Sequence, residues 1–87
     1  MPDPHETLLG ILEAHFGIDR AEVNPSVPLT ALELDSLARA ELALILRDRL
    51  GVALTEEDLP EGATVRNVLD LLAARMEEAE ALRAGGA

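Results

Sequence analysis

The chain has two serines, Ser26 and Ser36, and their hydroxyl groups are candidates for chemistry. Their sequence neighbours differ. Ser26 lies between Pro25 and Pro28, and these prolines remove backbone donors and favour extended or turn geometry. Ser36 directly follows Asp35 and opens an aliphatic segment with helical spacing, which holds a hydroxyl out for modification rather than for burial. We therefore take Ser36 as the candidate for chemistry.

Three interpretations of Ser36 make different demands on its surroundings. A catalytic nucleophile needs a base within hydrogen-bond reach and an oxyanion hole, usually on a strand-to-helix elbow. No strand is predicted before Ser36, and the sequence places neither His5 nor His15 as its base, so no catalytic residue is predicted. As an attachment point for a phosphate ester, Ser36 would put the phosphate beside free backbone N–H groups at the positive end of a helix. Asp35 works against a phosphate locally, so such a placement needs a compensating benefit. The third interpretation is an ordinary serine at a helix start, as for any isolated Asp-Ser-Leu.

The charge of the chain limits its partners. Seventeen acidic residues against seven basic residues, all arginine, give a net charge of −10. This field repels nucleic acid and anionic membranes and attracts basic patches, although it would equally serve to keep a small protein in solution. Cysteine is absent, and His5 and His15 have no carboxylate at a convincing ligand spacing, so no metal site is predicted.

The length of the chain, 87 residues, corresponds to a single domain, 1–87. Its apolar stretches are shorter than the roughly 20 residues of a membrane span, and the N-terminus lacks the pattern of a signal peptide. We therefore expect a cytoplasmic protein without membrane association. The ordered core should cover about residues 4–82, with a flexible tail at 83–87.

Helical periodicity predicts an all-α fold, and no alternating strand pattern competes with it. The first helix begins at Asp3 and Pro4 and ends near Gly17. A long loop of about eighteen residues then runs to Asp35, which exceeds most connections in compact domains. Apolar residues recur along this loop and could anchor it to the core.

The second helix is predicted from Ser36 to about Leu50, with Asp35 as its N-cap and Gly51 just past its end. A third helix has room for barely one turn, and Thr64 caps a fourth, whose apolar residues form one stripe. The architecture is therefore a small four-helix bundle of three longer helices and one short helix 3.

Helix 2 carries a second apolar face in addition to its core face. Leu37 and Leu44 project away from the predicted core and are interleaved with Glu41 and Asp48. Exposed leucines rimmed by acids would form a docking surface with hydrophobic anchors and electrostatic steering. The leucines would equally fit under the preceding loop and against helix 3, so both interpretations stay open. Arg39 points toward the predicted core side, so either its head extends out to solvent or the helix is rotated from this estimate.

The stretch from Pro28 to Leu37, continued by Ala40-Glu41-Leu42, resembles the attachment motif of acyl carrier proteins. The resemblance covers most of the chain: a first helix, a long loop, Asp35-Ser36-Leu37 at the head of helix 2, a short helix 3, and Ala63-Thr64-Val65-Arg66 opening the last helix. The tripeptide alone is common by chance. Followed by Glu-Leu at this offset in an acidic helical chain, it is fairly specific.

The resemblance implies that a phosphopantetheinyl transferase esterifies Ser36 with 4′-phosphopantetheine from coenzyme A. The thiol of this arm would hold an acyl group as a thioester. The resemblance further implies a monomeric carrier rather than an enzyme, served by acyl-loading and acyl-processing enzymes such as a ligase or acyltransferase and a ketosynthase. The positions that would meet these partners are Asp35, Leu37, Glu41 and Leu44, with Asp48 on the same face.

The sequence departs from the usual family pattern at several positions. Glu33 stands where relatives often have glycine, which makes the turn into helix 2 less permissive. Fatty-acid carriers commonly have acids where Ala38, Arg47 and Arg49 stand. These departures favour a discrete carrier of a polyketide or related specialised-metabolite pathway, such as antibiotic biosynthesis. The alternatives are a fatty-acid synthase carrier, a peptidyl or aminoacyl carrier, and, more distantly, an unmodified helical adaptor.

The core has one aromatic residue, Phe16, among many leucines and valines. Such a core could part to admit an acyl chain between helices 2, 3 and 4, but the composition fits a plain aliphatic core better. Arg39, if it points inward, would hinder entry of the chain.

Overall fold

The computed structural model describes residues 3–85, with side-chain environments up to Leu82. It contains three α-helices, namely α1 (Pro4–Phe16), α2 (Ser36–Leu50) and α3 (Val65–Gly85). The connections carry three short 3-10 turns, namely Arg20–Glu22, Leu29–Leu32 and Glu56–Asp58. The predicted all-α bundle is confirmed: the short helix 3 is the 3-10 turn Glu56–Asp58, and the predicted fourth helix is α3.

The helix α3 continues to Gly85 and so enters the segment 83–87 that was predicted to be flexible. Residues 86–87 lie outside the described part of the chain, and the flexibility of the tail stays a prediction. None of the described helices combines the length and the hydrophobicity that crossing a bilayer requires.

The ends of α1 and α2 form where the sequence predicts them. Asp3 caps α1, and the carboxylate of Asp35 accepts a hydrogen bond of 2.8 Å from the amide of Ala38 at the start of α2. Gly17 and Gly51 end the two helices in the left-handed conformation, each with φ of 66°. Only glycine adopts this angle without steric cost, so these two residues fix where the chain leaves each helix.

The crossover between α1 and α2, residues 17–35, is tied to the start of α3 by its backbone. Three hydrogen bonds of 2.9 Å make this tie, from the amides of Val65, Arg66 and Leu29 to the carbonyls of Val27, Pro25 and Ala63 respectively. The first-turn amides of a helix have no acceptor within the helix, so carbonyls of the crossover complete the N-terminus of α3. The side chains of Thr64 and Asn67 add a reciprocal pair of hydrogen bonds there, of 3.0 and 3.1 Å.

The core is aliphatic and receives side chains from all three helices and from the crossover. Among the described residues, no polar or charged residue is buried. The most deeply buried side chains are Leu8, Ile11, Leu12, Leu29, Leu42, Leu46, Leu59, Val65, Val68 and Leu72. The crossover contributes Ile18, Leu29 and Leu34, which confirms that its apolar residues anchor it to the core. Each such burial stabilises the fold by about 1.5–3 kcal/mol.

A polar cluster ties the segment after α2 to α3. The amide of Thr55 donates to the Asp58 carboxylate at 3.0 Å, and the guanidinium of Arg75 binds the same carboxylate at 3.1 Å and the carbonyl of Ala53 at 2.7 Å. The hydrogen bond from the Thr55 backbone, with help from Arg75, lowers the pKa of Asp58 below its ordinary value of 3.8, against partial burial, which raises the pKa.

Asp58→Asn should lower the free energy of unfolding at neutral pH by about 1–2 kcal/mol, because it weakens the charge-assisted hydrogen bonds of this cluster. Folding lowers the pKa of Asp58, so its contribution is present above pH 3.8 and is lost as the pH falls through the folded-state pKa. The difference in free energy of unfolding between wild type and Asp58→Asn should therefore become smaller in acid. Urea unfolding at several pH values, from neutral down to about pH 2, measures it.

Asp70→Asn is the matched control, because Asp70 is exposed on α3 and has no ion pair among the described side chains. It should change the stability little at any of these pH values. A loss equal to that of Asp58→Asn at neutral pH would contradict the role of the cluster.

Candidate functional site

Ser36 is the first residue of α2, and its side chain is exposed. Contacts of Leu34 and Asp35 hold the turn that precedes Ser36 in place. Leu34 is buried, and its amide bonds to the carbonyl of Leu29 at 3.3 Å. The Asp35 carboxylate caps the helix immediately before Ser36. The hydroxyl is therefore presented to solvent from a position that the core determines.

Glu33 turns the chain toward α2 in the left-handed conformation, with φ of 61° and ψ of 29°. It is the one residue other than glycine with positive φ in the described part of the chain. The Cβ atom of an L-residue is crowded in this conformation, at a cost of about 1–2 kcal/mol. The departure from glycine noted in the sequence therefore falls on a position where the backbone conformation favours glycine.

The N-terminus of α2 differs from that of α3 in how its amides are satisfied. The amide of Ala38 donates a hydrogen bond to the Asp35 carboxylate, whereas the amides of Ser36 and Leu37 have no protein acceptor within residues 3–85. These free donors lie at the positive end of the helix dipole. An anionic group on the Ser36 hydroxyl would therefore find hydrogen-bond donors next to it, even though Asp35 is its neighbour.

Ser36 opens onto a shallow hollow of about 360 Å³. Its lining residues are Thr30, Glu33, Leu34, Asp35, Ser36, Arg39 and Glu61. Glu61 reaches this hollow from the segment before α3. No pattern in the sequence indicates this, because the backbone tie between the crossover and α3 brings the two segments together.

Arg39 is half-buried, and its Nη1 donates a hydrogen bond of 2.8 Å to the carbonyl of Leu34. Its Nε is buried and has no hydrogen-bond partner among the described residues. The two explanations that the sequence allowed for Arg39 were extension to solvent and rotation of the helix. The structure instead shows the guanidinium folded back onto the turn that precedes Ser36.

The second apolar face of α2 is present in the structure. The side chains of Leu37 and Leu44 are 69% and 48% exposed, and Glu41 and Asp48 are exposed beside them. Asp35 lies at the start of the same helix and is also exposed. Leu37 is therefore not covered by the loop, nor is Leu44 buried against the third 3-10 turn. The exposed set of Asp35, Leu37, Glu41, Leu44 and Asp48 is called the leucine-acid face below, and its role in docking stays a prediction.

Side chains of α2, of α3 and of the residue after the third 3-10 turn contribute to the core. Leu42, Leu46, Leu59 and Leu72 are each fully buried there. A larger hollow, of about 600 Å³, opens instead between the end of α1, the crossover and the first turn of α2. Phe16 and Ala38 are among the residues that line it. Sequence reasoning missed this hollow, because it depends on how the crossover folds.

No group of three or more histidine, cysteine, aspartate or glutamate side chains in the described part of the chain could hold a metal ion. His5 and His15 are both exposed on α1.

Comparison with known proteins identifies the class of the chain. The family model for the phosphopantetheine attachment site matches residues 6–72, which include Ser36 and the crossover. The chain therefore belongs to the family of phosphopantetheine-bearing carrier proteins.

Curated relatives narrow the class. The chain is 38% identical to "Acyl carrier protein MbtL" of Mycolicibacterium paratuberculosis (strain ATCC BAA-968 / K-10), over 88% of this chain and 90% of the relative. It is 37% identical to "Meromycolate extension acyl carrier protein" of Mycobacterium leprae (strain TN), over 85% and 69%. It is 33% identical to the protein of that name from Mycobacterium tuberculosis (strain ATCC 25618 / H37Rv), over 97% and 81%. No solved structure matches the chain. Within its class, the chain is an acyl carrier protein, as the resemblance indicated, with phosphopantetheine as the prosthetic group of the family.

The residues around Ser36 fit this group. A phosphodiester needs an accessible hydroxyl and donors for its anionic oxygens. Ser36 offers the hydroxyl, and the amides of Ser36 and Leu37, which have no protein acceptor among the described residues, are such donors.

Glu33→Gly should raise the free energy of unfolding by about 0.5–1 kcal/mol, measured by urea unfolding. The relief of the left-handed strain is worth about 1 kcal/mol or more, and the greater freedom of glycine in the unfolded chain offsets part of it. Glu33→Ala removes the same carboxylate but keeps a Cβ atom, so it should leave the stability within about 0.5 kcal/mol of wild type. If both variants are stabilised equally, charge repulsion rather than backbone conformation is responsible.

Proposed function

We propose that Ser36 carries 4′-phosphopantetheine and that the protein presents acyl groups, held as thioesters on this arm, to partner enzymes. The observation that carries the proposal is the exposed Ser36 hydroxyl at the start of a helix whose first amides are free, inside the segment that matches the attachment-site family. When bound, the arm supplies a thiol that forms and releases thioesters. The chain itself supplies the ester oxygen and the surface that partners recognise.

The capping role of Asp35 explains how an acid can precede the modified serine. Its Oδ1 accepts a hydrogen bond of 2.8 Å from the amide of Ala38. The negative charge of Asp35 therefore faces the helix N-terminus, where the positive end of the helix dipole partly balances it. The amides of Ser36 and Leu37 are left for the phosphate. Asp35 therefore positions the helix start and leaves the first two donors free.

Two residues of the leucine-acid face, Asp35 and Leu37, directly flank Ser36, so a partner that binds this face also reaches the modified hydroxyl. Leu37 and Leu44 supply apolar anchors, and Glu41 and Asp48 supply charge around them. The net charge of −10 should accelerate association with basic partners, and added salt should slow it. The partners in this proposal are a phosphopantetheinyl transferase, a ligase or acyltransferase, and a ketosynthase. Each must release the carrier after use, so binding is transient.

The pathway is proposed to be one of specialised-metabolite or lipid biosynthesis. The relatives include the MbtL carrier and a carrier named for meromycolate extension. Arg47 and Arg49 are exposed near the end of α2, where a fatty-acid synthase carrier commonly has acids, so partner surfaces for this chain should be less uniformly basic. The protein acts as a monomeric cytoplasmic carrier and catalyses no step itself in this proposal.

Intact-mass measurement after incubation with coenzyme A and a promiscuous phosphopantetheinyl transferase tests the attachment site. Wild type should gain one phosphopantetheine group, and Ser36→Ala should gain none. Ser26→Ala is the matched control, because the Ser26 hydroxyl is exposed and bonds to the Asn24 side chain at 2.8 Å within its own turn; it should be loaded like wild type. An unmodified wild type, or equal loading of Ser36→Ala, would show the proposal to be wrong.

Leu44→Ala should lower kcat/KM of the transferase about fivefold or more, because truncating an anchor at an interface costs more than about 1 kcal/mol. Leu44 is half exposed, so the fold should be retained, which circular dichroism would check. Leu82→Ala removes a more exposed leucine, 76% accessible, near the far end of α3, and should leave the rate unchanged. Equal rates for all three proteins would exclude Leu44 from the transferase interface.

A further inference from the structure

Arg39 and Ser36 share the hollow at the start of α2. Residues three apart on a helix lie on the same side, with Cβ atoms about 5–6 Å apart. Arg39 is the only basic residue among those lining this hollow; the acids that line it are Glu33, Asp35 and Glu61. A negatively charged group on Ser36 would therefore meet three carboxylates and one guanidinium.

The guanidinium of Arg39 is incompletely satisfied. An arginine head offers five N–H donors, and among the described residues the head of Arg39 makes one hydrogen bond, from Nη1 to the carbonyl of Leu34 at 2.8 Å. No carboxylate among the described side chains forms an ion pair with it, whereas Arg20 has two ion pairs and Arg47 and Arg75 have one each. Its Nε is buried without a partner. A buried unpaired donor on a charged group is unfavourable, so the head gains by turning toward an anion.

We propose that Arg39 is the phosphate-binding residue of this carrier, pairing its guanidinium with the phosphodiester attached to Ser36. This inference rests on the proposed attachment at Ser36. Nη1 is already bonded to the Leu34 carbonyl, so Nε and Nη2 remain as the pair of donors with which arginine can bind two phosphate oxygens.

The pairing would also set the direction in which the arm leaves the helix. At 100° per residue, Arg39 lies on nearly the opposite side of α2 from Leu37 and Leu44. A phosphate held toward Arg39 therefore leans away from the leucine-acid face. The anchors Leu37 and Leu44 then stay accessible while the arm is attached.

The test is a cycle of four proteins, with and without the loaded arm, in wild type and in Arg39→Gln. Glutamine keeps a donor for the Leu34 carbonyl but removes the charge. Loading should raise the folding equilibrium constant of wild type by a larger factor than that of Arg39→Gln. The two factors, measured by urea unfolding, should differ about two- to fivefold. The difference should shrink at about 1 M salt, and Arg39→Lys should retain part of it. If loading changes wild type and Arg39→Gln equally, Arg39 only fastens the turn and the proposal is wrong.

A second measurement does not depend on the folding of the variants. In nitrogen-15 NMR spectra of the wild-type chain, the Nε–H resonance of Arg39 should shift when the arm is loaded, and an unchanged resonance would overturn the proposal. Intact mass is recorded for every sample. A wild type that cannot be loaded refutes the proposed attachment, whereas a loaded wild type without coupling refutes only the role of Arg39.

Discussion

The backbone tie between the crossover and the first turn of α3 is the constraint on which the site depends. The amides that begin a helix need acceptors, and here Val27 and Pro25 supply them to Val65 and Arg66. In return the crossover is held beside α3 over residues 25–29, and Leu29 is buried. Only six residues, 30–35, separate this anchored segment from Ser36, so the position of Ser36 depends on the position of α3.

The different starts of α2 and α3 explain how a highly acidic protein could accept the negative charge of the proposed attachment at Ser36. The N-terminus of α3 is completed by protein acceptors, and that of α2 is completed only at Ala38. The unpaired amides of Ser36 and Leu37 leave part of the positive end of the α2 dipole available. Local dipoles and one arginine, rather than the net charge of the chain, determine what an anion meets at this serine.

The sequence was sufficient to predict the three α-helices, both ends of α1 and α2 and the start of α3, because these depend on local chemistry. The end of α3 lies beyond the predicted ordered core. Asp35, Gly51 and Thr64 cap or end the helices as their types predict. The exposure of Leu37 and Leu44 was left open by periodicity, which gives the side of a helix but not what covers it. The position of Glu61 could not be predicted, because it depends on a contact between segments that are distant in the chain. The position of the Arg39 guanidinium could not be predicted either, because it depends on the path of the turn before Ser36. The left-handed conformation of Glu33 was indicated only by the glycine of relatives, since nothing in a glutamate favours positive φ.

The strained residue Glu33 has a consequence for local motion. Strain in a folded turn is released when the turn opens, so the free energy of opening residues 30–35 is lower than it would be with glycine at this position. The neighbouring residues 25–29 are tied to α3 and gain nothing from opening. Deformability is thereby concentrated in the few residues before Ser36, and an enzyme that must draw this hydroxyl into its own cleft can move the turn without disturbing the aliphatic core.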